Sequence, residues 1–281
     1  MIQSGWARLS WPLEVIATAG NFHSVLTARH VTSAPSLDGS LSDPAWSHAE
    51  RSPCFVDMAS GAPAVLRTEA AVLWSDEHLL VGFWVEEPYP TATLTTRDSL
   101  LFRENDLELF IDGGDCYYEL EINALGTIYE VLFIWRDSYE KFDASQFDVH
   151  RRQALTFGGD FDRTPEHFWT GNHPRGVRWA FRDFDMPGLR TAVQLDGTLN
   201  DPHVRSKGYT VEVSIPWASL TLLAGGRSVP PEDGEVWRMF FGRFQQLEIG
   251  GKQVQAAWCV DPHGRYDTHM PEQFTPVVFR R

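Results

Sequence analysis

Hydrophobic and polar residues alternate with a period of two through much of this chain. The clearest stretch is 106–123, where Leu107 and Leu109 share one side and the carboxylates of Asp106 and Glu108 share the other. The alternation resumes after an Asp-Gly-Gly-Asp turn, which favours a hairpin because glycine reaches the positive φ of tight turns. The sequence therefore predicts two antiparallel strands with one apolar face and one face rich in carboxylates.

The same period predicts strands in most of the remaining chain. The predicted strands are residues 67–74, 78–86, 127–135, 209–216, 236–245, 254–260 and 274–280. Residues 78–86 are apolar on both faces, so we expect a central strand. A short helix is expected at about 217–223, and Asp43 is the expected N-cap of a helical turn that starts at Pro44 and points Trp46 inward. Many strands and one or two short helices predict an all-β, antiparallel β-sandwich or jelly roll.

The strand pattern also predicts the domain organisation. Residues 1–30 are weakly patterned and are expected to form an N-terminal arm or an extra strand, and residues 31–281 a single domain. A long irregular insertion at about 136–188 has no sustained period apart from a strand at 177–182. So long a stretch is usually functional or contains elements that the pattern does not show.

Composition narrows the classes of function. The chain has 281 residues, of which 43% are hydrophobic and 22% charged, as in ordinary soluble globular proteins. A formal net charge of −14 argues against a nucleic-acid partner, because phosphate binding needs clustered basic residues. No apolar run is long enough for a membrane span, and no signal peptide is visible, which slightly favours a cytoplasmic location. The three cysteines fit neither a metal spacing nor a disulfide framework.

Two acidic turns have almost the same sequence. Residues 37–44 and 195–202 agree in six of eight positions. One interpretation is that the same turn chemistry recurs, and the other is that two related loops hold cations. The acids concerned are Asp38, Asp43, Asp196 and Asp201. A later loop carries Asp261, His263, Asp267 and His269, which are metal ligands by residue type, although turn formation is the favoured explanation because no His-x-x-x-His helix surrounds them.

Four motifs in order resemble a known family. They are Asp38-Gly39 followed by Asp43-Pro44-Ala45-Trp46, the stretch 106–112 with Tyr117-Tyr118-Glu119, the stretch 211–217, and Ala257-Trp258 followed by Pro271-Glu272-Gln273-Phe274. From about residue 31 to the C-terminus the chain resembles the family 9 carbohydrate-binding modules and their stand-alone relatives. The resemblance implies a DOMON-like β-sandwich.

The resemblance also implies a ligand. These modules clamp a terminal sugar between two aromatic rings, bind its hydroxyls through charged and amide side chains, and hold structural calcium. By resemblance, the rings are Phe102 and Tyr266, and Glu108 matches the family glutamate. Glu121 stands where the family has an arginine, and His263 stands where it has an asparagine. The expected partner is therefore a mono- or oligosaccharide, with calcium as the expected ion.

The prediction is non-catalytic binding of a saccharide, held by aromatic rings and by carboxylate and amide hydrogen bonds in a cleft whose floor is the polar face of residues 106–123. The predicted binding residues are Phe102, Glu108, Glu119, Glu121, His263 and Tyr266. The alternative is glycoside hydrolysis by Glu108 with Glu119 or Glu121, since that chemistry needs two carboxylates roughly 5 to 9.5 Å apart. The glutamates could equally form solvated surface and Phe102 could belong to the core. Glu130, on the adjacent strand, is expected to add to the repulsion within the acidic face.

A haem-binding role, known for some DOMON-like relatives, is a further alternative. It would need axial ligands, for which Met239 and Met270 are available.

Overall fold

A computed structural model describes residues 24–152, 154–158 and 173–281, and these contain fourteen strands. The strands are β1 Leu26–His30, β2 Val56–Asp57, β3 Thr68–Trp74, β4 His78–Glu86, β5 Asp106–Asp112, β6 Cys116–Ile122, β7 Ile128–Trp135, β8 Leu155–Phe157, β9 Arg178–Phe181, β10 Arg190–Asp196, β11 Gly208–Pro216, β12 Val236–Ile249, β13 Lys252–Cys259 and β14 Thr275–Arg280. The helical turns are α1 Pro44–Ser47 and four 3₁₀ helices, Leu101–Arg103, Arg136–Lys141, Trp217–Leu223 and Pro271–Gln273.

The strands form one continuous sheet. Their order is β10-β11-β4-β3-β1-β14-β12-β5-β6-β7-β9-β8, while β13 pairs with β12 and with β2. Neighbouring strands are antiparallel except for β1, which runs parallel to both β14 and β3. The all-β prediction is confirmed, and β1 is the exception to its antiparallel pattern.

The sheet folds so that its two halves share an apolar core. Phe83 of β4 and Phe241 of β12 come from different halves, yet their ring centroids lie 6.2 Å apart. The apolar side of β5, with Leu107 and Leu109, is buried in the same core. Burying a large side chain of this kind stabilises the fold by roughly 1.5–3 kcal/mol, so the shared core holds the sandwich closed.

Local sequence signals set several elements. β4 lies between β3 and β11, as its two apolar faces predict. Asp43 caps α1 by accepting a hydrogen bond from the Ala45 amide at 2.9 Å, and Trp46 is buried. The predicted helix at about 217–223 is the 3₁₀ helix Trp217–Leu223. These elements follow from short-range pattern and capping chemistry.

The β5–β6 turn needs both of its glycines. Gly114 has a φ of 78°, which side chains rarely adopt. A Cβ on Gly113 would lie 2.9 Å from the Cα of Leu223, so the turn packs directly on the 3₁₀ helix Trp217–Leu223. The hairpin is thereby fixed at one end, which positions the side chains along both strands.

The predicted irregular region at about 136–188 contains regular elements. It holds the 3₁₀ helix Arg136–Lys141 and the strands β8 and β9, and β9 corresponds to the strand predicted at 177–182. Residues 153 and 159–172 of this region lie outside the described residues, as do residues 1–23 of the predicted arm. Among the residues described, no helix is long and apolar enough to cross a membrane.

Candidate functional site

The predicted acidic face is present on β5 and β6. Glu108 pairs directly with Glu121 across the two strands, and Glu119 pairs with Phe110. Asp106 lies two residues before Glu108 and therefore projects from the same face. One carboxylate oxygen from each of Asp106, Glu108 and Glu121 lies within 4.8 Å of the other two. We call Asp106, Glu108, Glu119 and Glu121 the acidic cluster.

The acidic cluster is buried, whereas the sequence predicted that this face forms the floor of a cleft. The exposed fractions are 0% for Asp106, 1% for Glu108, 5% for Glu119 and 0% for Glu121. The same face carries a second apolar core that includes Phe110, Tyr117 and Phe244, and residues distant in sequence complete this core. The distant residues include Met58, Leu101 and Phe274. The carboxylates therefore lie between the sheet and a covering layer of apolar side chains.

Phe102 is part of that cover. Its backbone N–H donates to Glu121 Oε2 at 2.9 Å, and its ring meets the Tyr129 ring edge-on at 6.1 Å. The Phe102 carbonyl accepts a hydrogen bond from Gln255 Nε2 at 2.9 Å. The 3₁₀ helix Leu101–Arg103 is thus tied both to the acidic cluster and to β13.

Burial shifts the protonation of the whole acidic cluster. It raises the pKa of Asp106, Glu108 and Glu121 well above the ordinary values, and it raises the pKa of Glu119 to about 7. Repulsion from neighbouring carboxylates raises the pKa of Glu108 and Glu121 further. Glu121 and the Phe244 amide lie close to Asp106 and offset part of the increase in its pKa. The cause is the cost of moving a charge out of water without an opposite charge beside it.

Several oxygens of the acidic cluster lack a hydrogen-bond donor. Within the described residues, no group donates at hydrogen-bonding geometry to either oxygen of Asp106, to Glu108 Oε2 or to Glu121 Oε1. The described lysine, arginine and histidine side chains form no ion pair with any of the four acids at 4.0 Å or less. Buried acceptors are normally satisfied, so these oxygens need an explanation.

Glu130 does not join the acidic cluster. The expectation that it adds to the repulsion there is wrong, because Glu130 pairs with Leu120 and therefore faces the opposite side of the sheet. It accepts hydrogen bonds from the Tyr118 hydroxyl and the Met186 amide, and Arg97 forms an ion pair with it.

The loop after β13 carries the other predicted binding residues. His263 is buried against Phe240 and Phe274, and its Nδ1 lies 2.7 Å from the Asp267 carbonyl. Tyr266 is 37% exposed, and its hydroxyl donates to Asp57 Oδ2 at 2.7 Å. Tyr266 and Phe102 thus contact different neighbours. The prediction that their two rings hold a sugar between them remains a prediction.

The four aspartates of the acidic turns have local partners. Asp38 accepts from the Ser40 amide, Asp43 caps α1, Asp196 pairs with Lys207, and Asp201 accepts from the His203 amide. In the described parts of the chain, these acids do not form a group of three whose ligand atoms lie within 4.8 Å of one another. Calcium binding at these turns also remains a prediction.

A cleft that was not predicted from the sequence lies on the other half of the sheet. Its volume is about 370 Å³, and Trp84, Arg67, Glu69 and Lys207 are among its lining residues. The Arg51 guanidinium lies 3.8 Å from the Trp84 ring centroid and covers one ring face. The half-burial of Trp84 is a property of the assembled sheet, so the sequence showed only its residue type within the predicted central strand.

Comparison with known proteins identifies the fold. No protein-family model matches the sequence, and no curated protein is similar enough to match it. A protein from Bacteroides uniformis ATCC 8492, described as a candidate carbohydrate-binding protein, aligns at 16% identity with a TM-score of 0.54 over 92% of this chain and 100% of its own. A family 9 carbohydrate-binding module from Caldicellulosiruptor kristjanssonii, solved with cellotriose, aligns at 14% identity with a TM-score of 0.51, over 92% of this chain and 94% of its own. The chain therefore has a family 9-like β-sandwich fold, as its four sequence motifs predicted.

Proposed function

We propose that this protein binds a saccharide and leaves it chemically unchanged. The observation that carries the proposal is the fold, which resembles that of a cellotriose-bound family 9 module over 92% of the chain. Fold alone does not determine function, so the surface that would receive a sugar has to be identified.

The outer side of the 3₁₀ helix Leu101–Arg103 is the surface that we propose. The half-buried ring of Phe102 offers an apolar face for the C–H groups of a pyranose, and the amide of Gln255 lies next to it. Tyr266 is an exposed aromatic ring in the loop that follows β13. Glu108, Glu119 and Glu121 lie beneath Phe102, so they reach a sugar only when this turn moves.

Titration calorimetry with cellotriose, preceded by a broad glycan array with calcium present, tests the proposal. Phe102→Ala and Tyr266→Ala should each weaken binding about fivefold, since a lost aromatic contact is worth on the order of 1 kcal/mol. Tyr89→Ala is the matched control, because Tyr89 is a comparably exposed tyrosine, at 45%, in a different loop. It should leave the affinity unchanged.

Two results would contradict this assignment. Absence of binding to every mono- and oligosaccharide on the array would overturn the function itself. Binding that survives both ring variants but is lost in Trp84→Ala would move the site to the cleft beside Arg51.

Glycoside hydrolysis, the alternative function, requires that a substrate reach Glu108 and Glu119 directly. Glu119 has the raised pKa of about 7 that suits a general acid, but its side chain and that of Glu108 are almost completely buried. A scissile bond could meet them only after the cover opens. Turnover of an aryl glycoside that disappears in Glu108→Gln would establish hydrolysis in place of binding.

A further inference from the structure

Three oxygens of the acidic cluster have the spacing of a cation site. Calcium lies 2.3–2.6 Å from its oxygen ligands, so any two ligands of one ion are at most about 5 Å apart. The oxygens from Asp106, Glu108 and Glu121 all lie within 4.8 Å of one another. One ion at the centre of these three oxygens lies at most about 2.8 Å from each of them, so small side-chain movements bring all three carboxylates to calcium distance.

The unsatisfied oxygens supply an independent observation. Asp106 Oδ1, Asp106 Oδ2, Glu108 Oε2 and Glu121 Oε1 are buried, and in the described part of the chain no group donates to them at hydrogen-bonding geometry, although the Phe244 amide lies near Asp106. An uncompensated buried carboxylate costs several kcal/mol, and three together cost more because they repel one another. A divalent cation would supply both the missing positive charge and the missing partners.

The backbone holds the three carboxylates in place. Glu108 and Glu121 are directly opposed on paired strands, and the Phe102 amide binds the second oxygen of Glu121. Gly242 of β12 lies beside Glu108, and a Cβ there would come within 3.4 Å of Glu108 Oε2. The same Cβ would lie 2.4 Å from the Phe240 ring, so the glycine allows that ring to pack next to Glu108.

The ligand set selects the kind of ion. All three groups are carboxylates, and neither cysteine nor histidine belongs to the set, which favours a hard cation over zinc. Magnesium usually keeps several of its waters, whereas calcium accepts a site built largely of protein oxygens. The closed, apolar surroundings of the acidic cluster therefore favour calcium.

We propose that Asp106, Glu108 and Glu121 bind one calcium ion between β5 and β6. This site is separate from the acidic turns at Asp38 and Asp201. Because the Leu101–Arg103 turn covers it, the ion exchanges slowly, and the loaded and stripped proteins are best prepared by refolding the full chain with calcium or with EDTA.

Calcium content measured after refolding the full chain over a series of calcium chloride concentrations, and separately of magnesium chloride concentrations, tests the site. We expect one calcium per chain and weaker binding of magnesium. Asp106→Asn, Glu108→Gln and Glu121→Gln should each lower the calcium affinity by more than about tenfold, since each removes one of three ligand charges. Calcium should raise the unfolding temperature of the native chain but not that of the three variants.

Asp38→Asn and Asp201→Asn are the matched controls. Each exchanges a carboxylate for an amide that can still accept the same backbone hydrogen bond. They should leave the binding unchanged. The site is excluded if no saturable calcium binding occurs, if all three strand variants bind as well as the native chain, or if the loop variants alone abolish binding. Tighter binding of magnesium than of calcium would overturn the choice of ion.

Discussion

Two groups of buried carboxylates in the same sheet have very different surroundings. Glu212 on β11 is 1% exposed and accepts hydrogen bonds from Trp46 Nε1 at 2.7 Å, from the Gly39 amide at 2.6 Å and from the Asp38 amide at 2.9 Å. The acidic cluster is as deeply buried but has four oxygens without a donor among the described residues. Burial of a carboxylate is therefore not in itself a sign of function, whereas burial without partners is.

A buried arginine on β12 lies next to the acidic cluster in the sheet but binds a different acid. Arg243 on β12 pairs with Leu107, between the positions of Asp106 and Glu108. Because side chains alternate along a strand, its guanidinium points into the opposite layer and binds Glu87 at 2.7 Å. The chain thus places a buried arginine one position away from the acidic cluster and satisfies a different acid with it.

Breaking the Arg243–Glu87 ion pair should cause the largest loss of stability. Arg243→Met leaves Glu87 buried without its cation, so we expect a loss of about 3–5 kcal/mol in the free energy of unfolding, measured by urea denaturation. Adding Glu87→Gln should recover a substantial part of the loss, because the uncompensated charge is then gone. A double variant as unstable as the single variant would mean that packing, and not charge, dominates at this site.

Replacing Glu212 or Glu108 by glutamine should have different effects on the free energy of unfolding. Glu212→Gln places an amide where three donors converge, so we expect a loss of about 2 kcal/mol in unfolding free energy. Glu108→Gln, measured in EDTA, removes an unsatisfied carboxyl group whose charged form is repelled by its neighbours, and it should leave the metal-free protein equally stable or more stable. Equal destabilisation by both variants would remove the distinction between satisfied and unsatisfied carboxylates.

Much of the fold was predictable because it depends on local chemistry. The turn at Gly113 and Gly114, the cap at Asp43 and the alternation of β5 and β6 are all visible within short windows of sequence. The same alternation correctly placed Glu108, Glu119 and Glu121 on one face. A period of two assigns faces without knowledge of the tertiary structure.

The surroundings of that face were not predictable in the same way. Its cover is made by Met58, Leu101 and Phe274, which are far apart in sequence, so no local pattern shows that the carboxylates are buried. Glu130 was placed on the wrong face because the register of β7 depends on the turn before it, and a shift of one residue reverses every side chain. The cleft beside Trp84 likewise depends on β3, β4, β10 and β11 coming together.

Replacing His269 should give the smallest change in stability, and it tests whether this face of the sheet carries a positive charge. It lies on the same face, contacts Phe110 and Phe133, and shares a hydrogen bond with the Tyr117 hydroxyl at 3.1 Å. Burial, reinforced by Arg178, holds the pKa of His269 well below its usual 6.5. The imidazole is therefore neutral in the folded protein and adds no positive charge to the face that carries the acidic cluster.

The unfolded chain takes up a proton at His269 below about pH 6.5, while the folded protein does not. This histidine therefore stabilises the fold less as the pH falls, by up to about 1.4 kcal/mol per pH unit. His269→Asn removes that titration, so the difference in unfolding free energy between the native chain and the variant should narrow steadily from pH 6.5 to pH 5.5. A difference that widens on acidification would show that the folded protein binds this proton, and His269 would then be a source of positive charge beside the acidic cluster.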